Sequence, residues 1–165
     1  MPASFLESAP AHPAALLRLC FDLPGSIHHV AHLRKASRCY VESIGLAKAD
    51  VDDLEMILGE LSTNVVRHAK RGDHDDYHVS IEFTADRYIV HVIDQGMGFC
   101  PGDTPEPGTS RPDTLSETNE ERIGGLGLVM IRAIADTVDI FPTDPHGTTV
   151  RAEKRIMTGC MVGGI

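Results

Sequence analysis

The chain has 165 residues, of which 15 are Lys or Arg and 24 are Asp or Glu, so its formal net charge is -9. That is one domain's worth of protein, and its overall field repels a phosphate backbone, which argues against general nucleic-acid binding. Apolar residues make up 42% and charged residues 24%, the balance of a soluble globular domain, and no run approaches the ~18 apolar residues of a membrane span.

Residues 1–13 lack a basic start and an unbroken apolar run, so they read as a flexible tail and not as a secretory leader. The domain itself is expected over residues 14–157, with residues 158–165 as a second tail. Leu16 to Leu23 is a short apolar run stopped by Pro24-Gly25, which suits a strand. Ser26 offers an N-cap to an amphipathic helix carrying Ile27, Val30, Leu33, Val41 and Ile44, ended near Gly45, with Arg34, Lys35 and Arg38 on its outer face. A second helix is expected from Ala49-Asp50 to about Ala69, with Asp50, Asp52 and Asp53 in the first turn, where the helix dipole favours negative charge. Its apolar stripe is Leu54, Ile57, Leu58, Leu61 and Val65. Tyr77 to Thr84 and Arg87 to Asp94 alternate in hydrophobicity around Ala85-Asp86, the pattern of an antiparallel hairpin.

From Gly96 to Gly125 the periodicity collapses into four prolines, six glycines and only five hydrophobic residues. An insert this long with no core of its own reads as a lid of about residues 96–125. Leu126 to Thr137 resumes a helical stripe, and Val138 to Pro142 and Thr148 to Ile156 complete the sheet. The order predicts an α+β fold: a two-layer α/β sandwich whose mostly antiparallel (mixed) sheet is covered on one face by helices.

Three clusters carry chemistry. On the second helix, Glu60, Asn64, Arg67 and His68 fall on one flank beside the apolar stripe, where core meets cleft. A carboxamide oxygen one turn from a carboxylate suits a magnesium nucleotide: the first ligates a hard cation, the second takes a proton from an attacking hydroxyl. At the end of a strand, Asp94-Gln-Gly-Met-Gly-Phe99 offers a carboxylate to an exocyclic amine, with Gly96 and Gly98 allowing close backbone approach. Third, Gly124-Gly125-Leu126-Gly127-Leu128 stands directly before the third helix, where unpaired amides would favour phosphate. Taken singly, each also fits a plainer role as a solvated flank, an Asp-x-Gly turn or a glycine hinge.

Taken in order, E-x-x-x-N-x-x-x-H on a helix, D-x-G-x-G after a strand, G-x-G-L at a helix and Gly147-Thr148-Thr149-Val150 entering the last strand resemble the asparagine box, the two glycine boxes and the terminal G-T-x-V of the GHKL (Bergerat-fold) ATPases. The resemblance spans roughly Leu16 to Ile156. Within that superfamily, the runs ELSTNVVRHA, GGLGLVMIRAIADTVDI and GTTVRAEKRI look like the small anti-sigma-factor serine/threonine kinases of bacterial partner-switching systems. It implies a Bergerat ATP-binding fold that takes ATP and Mg²⁺, with Glu60 as general base and Asn64 as the Mg²⁺ ligand. It further implies that Asp94 reads the adenine amine with Thr148 in support, that Gly96 and Gly98 shape the adenine pocket, and that Gly125, Leu126 and Gly127 wrap the phosphates. Arg67, His68 and Arg122 are the remaining nucleotide contacts it suggests.

The partners implied are an anti-anti-sigma (STAS-domain) protein as phosphorylation substrate and a sigma factor, with no direct nucleic acid and no membrane; the location is cytoplasmic and a homodimer is allowed. Two alternatives stand beside this reading: a non-catalytic module of the same fold that sequesters a partner, and a switch kinase that binds no sigma factor. Other signals carry less. His28, His29 and His32 fit a solvated helix face better than a metal site, and Met97, Met130 and Met157 read as core filler. Cys20, Cys39, Cys100 and Cys160 stand too far apart for a zinc ribbon or redox pair and suit reduced thiols.

Overall fold

The computed structural model describes residues 15–68, 76–95, 119–143 and 147–157. The tails expected at 1–13 and 158–165, most of the lid, Gly96, Gly98, Met97, Cys100 and Cys160 lie outside the described residues.

The chain runs β1 (Leu17–Leu23), α1 (Ile27–Ser43), α2 (Lys48–His68), β2 (Tyr77–Phe83), β3 (Arg87–Asp94), α3 (Asn119–Ile134), β4 (Thr137–Pro142) and β5 (Thr148–Arg155). The strands form one sheet in the order β1-β2-β3-β5-β4, so the last strand is inserted between β3 and β4. All four pairings are antiparallel, and the expected α+β sandwich is borne out.

Alternation in β1 sends Leu17, Leu19, Phe21 and Leu23 toward the core and leaves Arg18, Cys20 and Asp22 exposed. The same face continues through Val79, Ile81 and Phe83, Tyr88, Val90 and Val92, and Val150 and Ala152. Onto it α2 lays Val51, Leu54, Ile57, Leu58, Leu61 and Val65, all buried. Each such side chain contributes about 1.5–3 kcal/mol by leaving water, so this stripe fixes how α2 sits on the sheet. α1 adds Val30, Leu33 and Val41. Ser26 holds the N-cap position with extended backbone but makes no side-chain capping bond. Gly45, at φ 83°, turns the chain out of α1 in a conformation that costs a glycine little.

Three expectations are corrected, and that for Asp50 is extended. Arg38 does not lie wholly on an outer face: it is half-buried and bonds Glu42, Asp52 and Glu55, while Arg34, exposed as expected, pairs with Glu55 at 3.1 Å, so that both tie α1 to α2. Asp50 serves as more than a charge near the helix dipole; it is fully buried and accepts the Met157 backbone N–H at 3.1 Å. Met130 and Met157 are exposed and are not core filler. Finally, α3 begins at Asn119 and not at Leu126, so the glycine box lies inside the helix. Asn119-Glu120-Glu121 is a good helix start by residue type, with negative charge suited to the dipole, and this outweighs the cost of interior glycines.

Candidate functional site

Register assembles the site. β2 pairs Tyr77 with Asp94, β5 pairs Thr148 with the same Asp94, and β4 pairs Pro142 with Thr148. Residues directly opposite in antiparallel strands share a face, so Asp94 stands between Tyr77 and Thr148 on the helix-covered side. Asp94 and Thr148 are both half-buried. Gly147 precedes Thr148 with φ +123°, and a Cβ there would fall 2.0 Å from the Asp94 carbonyl oxygen. Only glycine permits the chain to enter β5 this close to the end of β3.

The orientation of α2 follows from its other end. Asp53 pairs with Lys154 near the end of β5, and Asp50 binds Met157 just beyond it. The C-terminal half of α2 therefore lies toward the start of β5, the end that carries Asp94 and Thr148. Glu60 and Asn64, one turn apart, are half-buried there, and Arg67 is exposed in the last turn. His68 closes α2, its side chain outside the described residues.

Glu60 meets α3. The position a Cβ of Gly127 would take lies 2.4 Å from Glu60 Oε2. Gly125, Leu126 and Arg122 belong to the same helix, with side-chain surroundings outside the described residues. The expected anion site of unpaired amides at Gly125 to Gly127 is thus not what the structure has, because inside a helix those N–H groups fall in the range of i→i−4 bonding.

Two residues here escaped the sequence reading. Tyr77 is buried at the start of β2, and burial pushes its phenol pKa up while the Ser62 hydroxyl offsets part of that rise. Ser62 is itself buried, between Glu60 and Asn64 in sequence. Tyr77 was findable: a hairpin turning at Ala85-Asp86 places position 77 opposite 94. Ser62 carried no signal beyond its place on the core side of the stripe.

The sequence matches the histidine kinase-like ATPase domain over residues 23–154. The chain belongs to that family. The serine-protein kinase RsbW of Bacillus licheniformis is 31% identical over 121 residues, which are 71% of this chain and 73% of the relative. RsbW of Bacillus cereus is 26% identical over 143 residues, covering 81% and 82%. Kinship with these proteins makes this member of the ATPase family a serine/threonine protein kinase. In fold, the chain is similar to a structure of the SiaB-SiaC complex of Pseudomonas aeruginosa (TM-score 0.61, 19% identity, 82% of this chain and 88% of that one). It is likewise similar to the RsbU and RsbW domains of a Mycobacterium tuberculosis protein (TM-score 0.59, 17% identity, 87% of this chain and 33% of that one). No helix among the described residues is long and apolar enough to cross a membrane.

As a donor set for this ATPase family, the residues fit a magnesium nucleotide. Asp94 offers a carboxylate beside a hydroxyl, and Glu60 and Asn64 on α2 offer oxygen ligands, the hard donors that Mg²⁺ prefers. No group of three or more His, Cys, Asp or Glu among the described residues could hold an ion by itself. A cation held by Asn64 would therefore complete its shell with phosphate oxygens and water, as Mg²⁺ usually does.

Proposed function

We propose that the chain is an anti-sigma kinase of a bacterial partner-switching system: it binds ATP and Mg²⁺ between the sheet and the lid expected at residues 96–125, passes the γ-phosphoryl to a Ser or Thr of a STAS-domain anti-anti-sigma protein, and restrains a sigma factor. The observation that carries this is the Asp94–Thr148 register pair at the end of the sheet reached by Glu60 and Asn64. The RsbW relatives are named serine-protein kinases, and the Pseudomonas neighbour is a two-protein complex, which supports a protein acceptor. Action in the cytoplasm belongs to the same reading.

Asp94 accepts a hydrogen bond from the exocyclic amine of adenine, and Thr148 steadies the same edge. Arg67 and Arg122 contribute positive charge toward the phosphates in this reading. Asn64 would hold Mg²⁺ through its amide oxygen, and the ion would offset negative charge on the phosphates. Glu60 takes the proton of the acceptor hydroxyl as its oxygen bonds the γ-phosphorus. The bond from that phosphorus to the β,γ-bridging oxygen breaks, and the oxygen leaves with ADP. Positioning and charge stabilisation supply most of the rate in such transfers.

Calorimetric titration with a nonhydrolysable ATP analogue, with and without Mg²⁺, tests the pocket. Magnesium-dependent binding that weakens at least about tenfold in Asp94→Asn is expected, since a neutral amide oxygen accepts from the adenine amine more weakly than a carboxylate does and its NH₂ group can be turned toward the amine instead. An analogue that fails to bind the unaltered protein overturns the kinase reading and leaves a partner-sequestering module of the same fold.

A further inference from the structure

Gly127 sits inside α3 and is buried. A Cβ built on it would lie 2.4 Å from Glu60 Oε2, 3.4 Å from Glu60 Cδ and 3.7 Å from Glu60 Cβ. Real Cβ atoms essentially never come within 3.0 Å of a heavy atom outside their own residue and its chain neighbours. The Glu60 side chain therefore lies along the α3 backbone, and its carboxylate fills the space that any side chain at position 127 would take. Glycine is a poor residue for a helix interior and alanine is the best one, so local helix stability does not account for Gly127. Nor does an end amide aimed at phosphate, because α3 begins at Asn119 and position 127 is well past its first turn.

We propose that Gly127 is a positioning residue for the general base: by lacking a side chain it lets α3 act as the wall that sets the Glu60 carboxylate in place. The inference rests on the reading of Glu60 as the base. It moves Gly127 from the phosphate-binding role expected of a glycine box to a role in the chemical step. The two roles differ in what they predict. A phosphate contact acts on nucleotide affinity, whereas a seat for the base acts on kcat, because the proton is taken only as the phosphorus–oxygen bond forms.

The test is Gly127→Ala in the full chain, with three readouts. These are kcat for transfer from labelled ATP to a purified STAS-domain protein, Kd for a nonhydrolysable ATP analogue, and the thermal unfolding midpoint. We expect kcat to fall about 10- to 100-fold, Kd to stay within about twofold, and the midpoint to hold or rise as alanine favours the helix. In a Glu60→Asp background the carboxylate is one methylene shorter and withdrawn from position 127, so the added cost of Gly127→Ala should shrink to less than about threefold.

Unchanged kcat in Gly127→Ala overturns the inference. So does a loss that appears as weakened nucleotide binding, or one that persists in full beside Glu60→Asp. An unaltered protein that transfers no phosphate, or a Glu60→Ala variant at full rate, defeats the proposed function and this inference with it. A Glu60-dependent kinase indifferent to Gly127→Ala defeats this inference alone.

Discussion

The same three elements, α2, β3 and β5, end in two very different neighbourhoods. At one end, Lys154 donates to the Ile134 carbonyl at 2.9 Å and pairs with Asp53 at 3.1 Å, while buried Asp50 accepts the Met157 N–H. Asp136 accepts the Arg155 N–H at 2.6 Å, and Ile156 N–H reaches the Asp86 carbonyl at 2.9 Å. Tyr88 is sealed there, its phenol pKa pushed far up by burial first and then by the charges of Asp53, Asp50 and Asp136. At the other end, Asp94, Thr148, Glu60 and Asn64 are only half-buried, and Glu60 lies against a helical glycine. The closed end joins charge to backbone and so fixes the sheet and helices together. The other end leaves carboxylates and an amide half-buried among the described residues, and under the proposed function one end holds the fold while the other does chemistry.

If the division is real, substitutions at the two ends should separate rate from stability. The largest effect is expected for Glu60→Gln: phosphoryl transfer should fall about 10²- to 10⁴-fold, the usual range for losing a general base, with the urea midpoint nearly unchanged. Labelled-phosphate transfer and urea titration measure the two, and transfer at the parental rate would break the comparison. Next comes Asp50→Ala, which should cost about 2–3 kcal/mol by removing a charged acceptor from a buried N–H, while Kd for ATP in the folded protein stays put. Urea unfolding and calorimetry decide it; an unaltered midpoint would show that the closed end is not what holds the fold.

The smallest effect is on pH. Arg87 holds Asp86 down to about 2 by hydrogen bonding, helped by Thr84. For Glu153, burial pushes the carboxyl up, but hydrogen bonds from Arg151 and Arg87 outweigh it and leave the pKa lowered. Carboxyls depressed in the folded state contribute stability above their unfolded values, and lose it as pH falls through the folded ones. Stability should therefore drop from about pH 4.5 toward pH 2, and less steeply in Arg87→Gln. Urea midpoints across that range check the slope, which is modest because exposed pairs are screened.

Much of this was legible in the sequence wherever the signal was local. The stripe Leu54 to Val65 set α2 and with it the flank of Glu60 and Asn64. Alternation and the Ala85-Asp86 turn set β2 and β3, hence the place of Asp94 at a strand end. What escaped depended on packing. Which flank of α1 meets α2 is decided by tertiary contact, so the pairing of Arg34 and Arg38 with Glu55 was not visible and Arg38 was read as outward when it is half-buried. Glycine propensity pointed to a helix starting after the glycine box, but α3 runs through it, and the Glu60–Gly127 contact that results has no local signature. The pairing of Thr148 with Asp94 joins distant residues and became visible only with the sheet order.

Under the proposed function, that distant pairing also governs when the nucleotide pocket comes into being. β5 slots between β3 and β4, so the chain from Asp94 to Thr148 must close into a large loop before the two residues meet. Loop closure of this kind is entropically slow, and contacts of high sequence separation form late on a folding route. A nucleotide can then grip only a molecule that has already finished folding. Its stabilising effect falls on the rate at which the native state opens and leaves the rate at which it forms almost untouched, so a cell rich in ATP prolongs the life of this kinase without hastening its birth.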